Sequence, residues 1–409
     1  MKLWSQKNIY LDYASATPVN KKVLKILSKT EKSFFANGSA IYKTGVLTRS
    51  LINESRLSIA KSLNAHADEI VFVGSGTESD ALAIFGTINY FKKVFPKIKP
   101  HVIVSKIEHP AVLENVRLLE SKNIIEVSFA PVLTNGILDV GVFKDLIKEN
   151  TVLVSVMYAN NEIGTIQPIE EIAKIIRKYK KDKSLYKEGS VVYPILHTDA
   201  CQAMNYLFTE NVEKLGVDLM TFNSSKIYGP KGIGVLFKKR NVKLEPLYAG
   251  GGQEFELRSG TESVSLIRAI DMALQITNKL KEKEFKRLSK LRDYGIEEIL
   301  NLSKKHPFAI CLNGDKDQRL PNNINISVEG LPSELLVIEL SAQNIFVSEK
   351  SACKSGDDNG SYVIKAINGK NDQATGSVRI TLGRQTTRRD INELVQGFSR
   401  ILSKYTDWK

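Results

Sequence analysis

From about residue 43 to residue 240, short apolar β-rich runs alternate with amphipathic helical ones. That rhythm restricts the fold. Strands joined through helices lie parallel, and a parallel sheet needs helices over both faces. Runs at 69–73, 101–105, 124–129, 152–158, 194–198, 219–223 and 233–237 predict strands. Stretches at 78–93, 111–121, 140–148 and 169–180 between them predict helices. After Ser263 the rhythm changes. A long helical segment to about residue 300 leads into strands near 324–328 and 345–348, a helix over 333–342, a strand over 378–382 and a terminal helix over 390–405. This reads as a smaller α+β unit with the N-terminal segment packed near it. A length of 409 residues exceeds one ordinary core. The expected division is a large domain at 15–262 and a small domain built from 1–14 and 263–409. Residues 180–193 are polar, Lys-rich and unpatterned, and read as a surface loop.

Composition excludes several classes. The longest apolar run, around 151–159, is far too short to cross a bilayer, and Met1 to Asp12 holds no apolar signal core. Cys201, Cys311 and Cys353 show neither zinc-site nor disulfide spacing, which points to a reducing, cytoplasmic setting. The net charge of +13 invites a nucleic-acid partner. The lysines at 177–183, 238–243 and 279–292, however, alternate with apolar residues at helical spacing or sit in connectors. That is the pattern of solvated faces, so no direct nucleic-acid contact is expected; an acidic protein partner fits the charge equally well.

The residues that carry chemistry sit at strand ends. In Phe222-Asn-Ser-Ser-Lys226-Ile-Tyr-Gly-Pro-Lys-Gly-Ile-Gly234 a lysine follows a strand and precedes a rigid turn. The carboxyl edge of a parallel sheet is where such folds bind ligands, and a lysine there can form a Schiff base with a carbonyl cofactor. Gly-Pro-Lys-Gly also makes an ordinary tight turn. In His197-Thr-Asp199-Ala-Cys-Gln202, Asp199 can face the pyridine nitrogen of pyridoxal phosphate (PLP), and Gln202 can donate to its phenolate oxygen. An Asp there equally caps a following helix. Val73-Gly-Ser-Gly76-Thr77-Glu-Ser-Asp80 lies between a strand and a helix, where free backbone N–H groups and the Thr77 hydroxyl can hold a phosphate. It is neither a P-loop nor a Rossmann fingerprint. His109, Asn161 and Arg258-Ser-Gly-Thr261 complete the set.

Lys226, Asp199, Gln202, Thr77, His109, Asn161 and Arg258-Ser-Gly-Thr261 stand in the order found in the NifS/IscS-like cysteine desulfurases, which the chain resembles from Tyr10 to Thr387. Those enzymes are class V aminotransferases with the aspartate-aminotransferase-like PLP fold (type I): a large domain with a mostly parallel sheet plus a smaller α+β domain. The resemblance implies that Lys226 holds PLP and moves protons, that Asp199 pairs with the pyridinium nitrogen, and that Gln202 and Asn161 contact the phenolate oxygen and the substrate. His109 would stack on the ring and act in proton transfer. Gly76, Thr77 and Thr261 of a second subunit would hold the phosphate, which implies a homodimer. Arg379 in Gly376-Ser-Val-Arg-Ile-Thr-Leu-Gly would bind the carboxylate of L-cysteine, a task that suits its planar fork. Without that context it reads as a surface salt bridge.

Cys353 separates a desulfurase from other enzymes of this fold. Its setting, Val347-Ser-Glu-Lys-Ser-Ala-Cys353-Lys-Ser-Gly-Asp-Asp-Asn-Gly360, is polar and Gly/Ser/Asp-rich, as expected of an exposed loop. Lys350 and Lys354 favour the thiolate. Cys201 and Cys311 lie in apolar or strand-like contexts and read as buried structural residues. The expected function is conversion of L-cysteine to L-alanine, with sulfur passed as a Cys353 persulfide to an acceptor protein for iron–sulfur cluster assembly or tRNA thiolation. The alternatives are another PLP enzyme of the fold, such as a selenocysteine lyase or aminotransferase, and a non-catalytic sulfur-relay scaffold. Three departures from the family pattern stand out. Ser225 replaces a usual histidine, with Asn223 two places earlier, at positions that normally help bind the cofactor phosphate, so weaker or altered PLP binding is expected. Tyr42 likewise replaces a usual histidine. The sequence ends soon after its last helix, without the long extension that housekeeping members use to dock an iron–sulfur scaffold.

Overall fold

A computed structural model describes residues 8–183, 185–189, 191–349, 360–368 and 376–408. Its strands are β1 (Ile9–Tyr10), β2 (Ile70–Val73), β3 (His101–Ser105), β4 (Glu126–Ala130), β5 (Thr151–Ser155), β6 (Lys187–Glu188), β7 (Val191–Val192), β8 (Ile195–Asp199), β9 (Leu219–Asn223), β10 (Gly234–Lys238), β11 (Ile310–Leu312), β12 (Asn323–Val328), β13 (Ile345–Phe346) and β14 (Ser377–Thr381). Seven of them form the main sheet in the order β2-β10-β9-β8-β5-β3-β4. From β4 to β9 every pairing is parallel, as the strand–helix rhythm predicts. β10 departs from it and runs antiparallel to both β9 and β2. The turn through Lys226 and Gly229 is too short for the crossover that a parallel return needs.

Every residue of β2, β3, β5 and β8 is buried, as helices on both faces require. Within β2 the faces split. Val71 and Val73 pack with Leu82, Ile84 and Ile88 of helix Gly76–Val94. Ile70 and Phe72 join the opposite core with Ile172 of helix Ile169–Asp182 and Ile270 of the 38-residue helix Val264–Asn301. That long helix also contacts β11, β12 and helix Arg388–Lys404, and so joins the main sheet to the antiparallel sheet β11-β12-β14. The N-terminal segment follows β1, which pairs parallel with β13. A bridge between Asp12 and Thr381 continues that contact, and Thr17 then donates through N and Oγ1 to the Ser225 carbonyl. Residues 8–17 thus form a strap from the C-terminal sheet to the turn that bears Lys226.

Two expectations need correction. The stretch 180–193, read as a surface loop, carries regular structure among its described residues: the helix runs to Asp182 and β6 pairs antiparallel with β7. Tyr186 and Tyr193 pack edge-on against Phe91, and this aromatic contact holds the segment down. Cys311 is exposed rather than buried, because it falls on the outward side of edge strand β11. Cys201 is buried, as expected. Among the described residues no helix is long and apolar enough to cross a membrane.

Candidate active site

At the carboxyl edge of the parallel strands a cavity of about 220 Å³ is lined by Lys226, Asp199, Gln202, His109, Asn161, Asn223, Gly76, Thr77 and Arg379. Residues scattered over three hundred positions of sequence therefore converge on one concavity. Lys226 closes the short helical turn Ser224–Lys226 that follows β9. Its Nζ donates to the Ser15 carbonyl at 2.5 Å, and burial pulls its pKa below the ordinary lysine value. A buried amine that gives up its proton more readily is a better nucleophile towards a carbonyl.

Asp199 ends β8, with Oδ1 accepting from Cys201 N at 2.8 Å, so it organises the local turn as well as facing the cavity. Beneath it His197 sits between Ser155 Oγ at 2.8 Å and Thr221 Oγ1 at 3.0 Å. Complete burial lowers the His197 pKa to about 4, so the ring is neutral. Burial first, and then the Asp199 charge, hold Asp80 well above the usual carboxylate range. A second carboxyl, biased towards its neutral form, thus stands near Asp199.

His109 caps helix Pro110–Ser121 through Nδ1, which accepts from Ala111 N at 3.1 Å. Burial lowers its pKa, Lys226 and Arg379 push the same way, and Asp199 opposes them. A neutral imidazole beside Lys226 can take or deliver a proton. Its neighbour Glu108 is fully buried, and burial raises its pKa to about 8. Glu108 Oε1 accepts from Ser105 Oγ and Met157 N. Gln202 Nε2 donates to the Ala14 carbonyl at 3.0 Å. Ser225 Oγ donates to Asn223 Oδ1 at 3.2 Å, so Ser225 stands behind Asn223 rather than among the lining residues.

Arg379 is only 2% exposed, which rules out a surface salt bridge. Its Nη2 donates to Asp12 Oδ1 at 2.8 Å and to Ser15 Oγ at 2.7 Å, and Nη1 donates to the Asn161 carbonyl at 3.3 Å. Thr261 is exposed and does not line this chain's cavity. Cys353 lies outside the described residues. Sequence reasoning assigned no role to Asp12, Ser15, Asp80 or Glu108. Asp12 and Ser15 stand in the N-terminal motif, whose contact with Arg379 depends on long-range pairing. Asp80 and Glu108 carry no local signal that sets a buried acid apart from a solvated one.

The residues present fit a phosphate-bearing carbonyl cofactor. A Cβ on Gly76 would come within 2.9 Å of Asn223 Nδ2 and 3.1 Å of Cys201 Sγ, so any side chain here would crowd the cavity at the N-terminus of helix Gly76–Val94. The buried atoms Asn161 Oδ1 and Arg379 Nε have no hydrogen-bond partner among the described residues. Both residues line the cavity, where a bound group can satisfy them.

The sequence matches the aminotransferase class-V family over residues 9–394. It is 39% identical over 399 residues to the cysteine desulfurase IscS of Dictyoglomus turgidum, covering 98% of this chain and 95% of that protein. It is 37% identical over 395 residues to the cysteine desulfurase IscS 1 of Archaeoglobus fulgidus, covering 97% of each. Among solved structures, a NifS-like protein superposes with a TM-score of 0.86 at 29% identity, over 97% of this chain and 100% of that one. SspA in complex with cysteine superposes with a TM-score of 0.74 at 30% identity, over 91% of this chain and 98% of that one. The chain belongs to the aminotransferase class-V family and, within it, to the NifS/IscS-like cysteine desulfurases.

Proposed function

We propose that this protein is a PLP-dependent cysteine desulfurase that converts L-cysteine to L-alanine and carries the removed sulfur as a persulfide on Cys353. The observation that carries the reading is the single cavity in which Lys226, Asp199, His109 and buried Arg379 meet. When bound, PLP supplies an electron sink for the carbanion formed at the substrate α-carbon. The chain's own residues do the rest. Lys226 Nζ holds the cofactor and receives or returns the α-proton. Asp199 would pair with the ring nitrogen, and the backbone at Gly76 and Thr77 with Asn223 would hold the phosphate. Gln202 and Asn161 would contact the phenolate oxygen, His109 would stack on the ring and relay a proton, and Arg379 would take the substrate carboxylate. The Cys353 thiolate attacks the substrate sulfur; the new S–S bond forms as the carbon–sulfur bond breaks, and its electron pair returns to carbon, which is protonated to give alanine.

The protein acts as a homodimer in which Thr261 completes the partner's phosphate site. Thr261 is exposed outside its own cavity, and Ile41 at 94%, Phe35 at 85% and Val46 at 52% exposure are large apolar side chains of the 35–46 segment that a second copy would cover. The sulfur then passes to an acceptor protein. The seven-stranded and three-stranded sheets support a large domain at 15–262 and a small one from 1–14 and 263–409. The test is visible absorption of the purified protein before and after L-cysteine, with alanine and sulfide assayed. A yellow protein yielding equal amounts of both supports the reading. A colourless protein, inactive with added PLP, favours the scaffold alternative.

A further inference from the structure

The guanidinium of Arg379 already holds a carboxylate. An arginine has five N–H donors, and a two-bond grip on a carboxylate uses either Nε with Nη2 or Nη1 with Nη2. Both forks need Nη2. Its two hydrogens are taken by Asp12 Oδ1 at 2.8 Å and Ser15 Oγ at 2.7 Å, while Nε is buried with no partner among the described residues. A second carboxylate can grip Arg379 with two bonds only if Asp12 or Ser15 leaves. Ser15 is neutral and also donates to Asp12 Oδ1 at 2.9 Å. Asp12 bears the same charge as the incoming group, and the repulsion at one shared cation falls on it. Its side chain is 19% exposed against 2% for Arg379, so it has a way out to water.

We propose that Asp12 is an internal stand-in for the substrate carboxylate, a specificity-determining residue that the amino acid displaces from Arg379 on binding. The inference rests on the reading of Arg379 as the carboxylate site. In the free protein Asp12 neutralises a buried guanidinium and keeps its head oriented, where an unpaired charge would be costly. It also sets a threshold. A stray carboxylate gains nothing over Asp12, whereas an amino acid anchored through its amino group prevails. The strap couples this exchange to the amine, because the Ser15 carbonyl accepts from Lys226 Nζ.

Asp12→Asn keeps the Oδ1 acceptor and removes the charge. In the PLP-loaded enzyme it is expected to lower KM for L-cysteine and raise kcat/KM, each by about tenfold. A merely structural role would lower kcat/KM. Competition with L-alanine should tighten in the same variant while that with L-alaninamide stays the same. If Asp12→Asn fails to fold, Asp12→Ser serves with the same expected direction. A KM that is unchanged or raised, with alanine binding no tighter, overturns the proposal. An Arg379→Gln variant that binds L-alanine as tightly as the parent overturns the carboxylate site beneath it.

Discussion

Replacing Gly234 with alanine probes the phosphate cradle from behind, without substituting a residue that lines the cavity. Gly234 opens β10 and pairs with both Val73 and Asn223. A Cβ there would lie 2.7 Å from the carbonyl carbon and oxygen of Ser75 and 3.2 Å from Gly76 N. Ordinary contact begins near 3.4 Å, so the Ser75–Gly76 peptide must retreat by about 0.7 Å. Overpacking of this kind costs about 1–3 kcal/mol of stability. The functional effect should be larger in proportion, because that peptide is the N-terminal edge of helix Gly76–Val94. A hydrogen bond to a charged group contributes about 1.5–3 kcal/mol, so losing one weakens PLP binding by about 10- to 150-fold. The assay is titration of the cofactor-free protein with PLP, followed by visible absorption, beside a thermal melt. A Kd within twofold of the parent would refute the assignment of this backbone as the phosphate cradle.

Two further outcomes follow from the buried charges. Burial raises Glu108 from 4.5 to about 8, so the folded protein keeps a proton that the unfolded chain releases. Stability therefore falls as pH rises through that window, and Glu108→Gln should melt progressively higher relative to the parent between pH 5 and pH 8. A constant difference in melting temperature contradicts this. Arg56 grips Glu254 with two bonds of 2.7 and 2.6 Å, both side chains being under a tenth exposed. Arg56→Met should cost about 3–5 kcal/mol in stability, and adding Glu254→Gln should recover most of the loss. Thermal melts of the single and double variants decide it.

Much of the fold is legible because period and burial agree: strands covered on both faces carry a continuous apolar stretch, as Val102–Val104 does in 101–105 and Leu219–Met220 with Phe222 does in 219–223, and the predicted bounds match β3 and β9. The direction of β10 is not legible from periodicity, which says nothing of orientation; turn length sets it. The hairpin at 187–192 is hidden because what orders it, Phe91 against Tyr186 and Tyr193, is a contact across a hundred residues. The same limit applies at the site. Lys226, Asp199 and His109 sit at strand ends where topology and chemistry coincide, so sequence order reaches them. Asp12 reaches Arg379 only because β1 pairs with β13 and the strap crosses to the site.

The central claim is that Cys353 receives the sulfur. Mass analysis of the Cys353 peptide after one turnover with L-cysteine tests it most directly. The account predicts a peptide heavier by one sulfur atom, reversed by a thiol reductant, and no persulfide in Cys353→Ser although that variant keeps its PLP absorption. Alanine formed at the parent rate by Cys353→Ser, with the added sulfur found on Cys201 or Cys311 or on no cysteine, would contradict it.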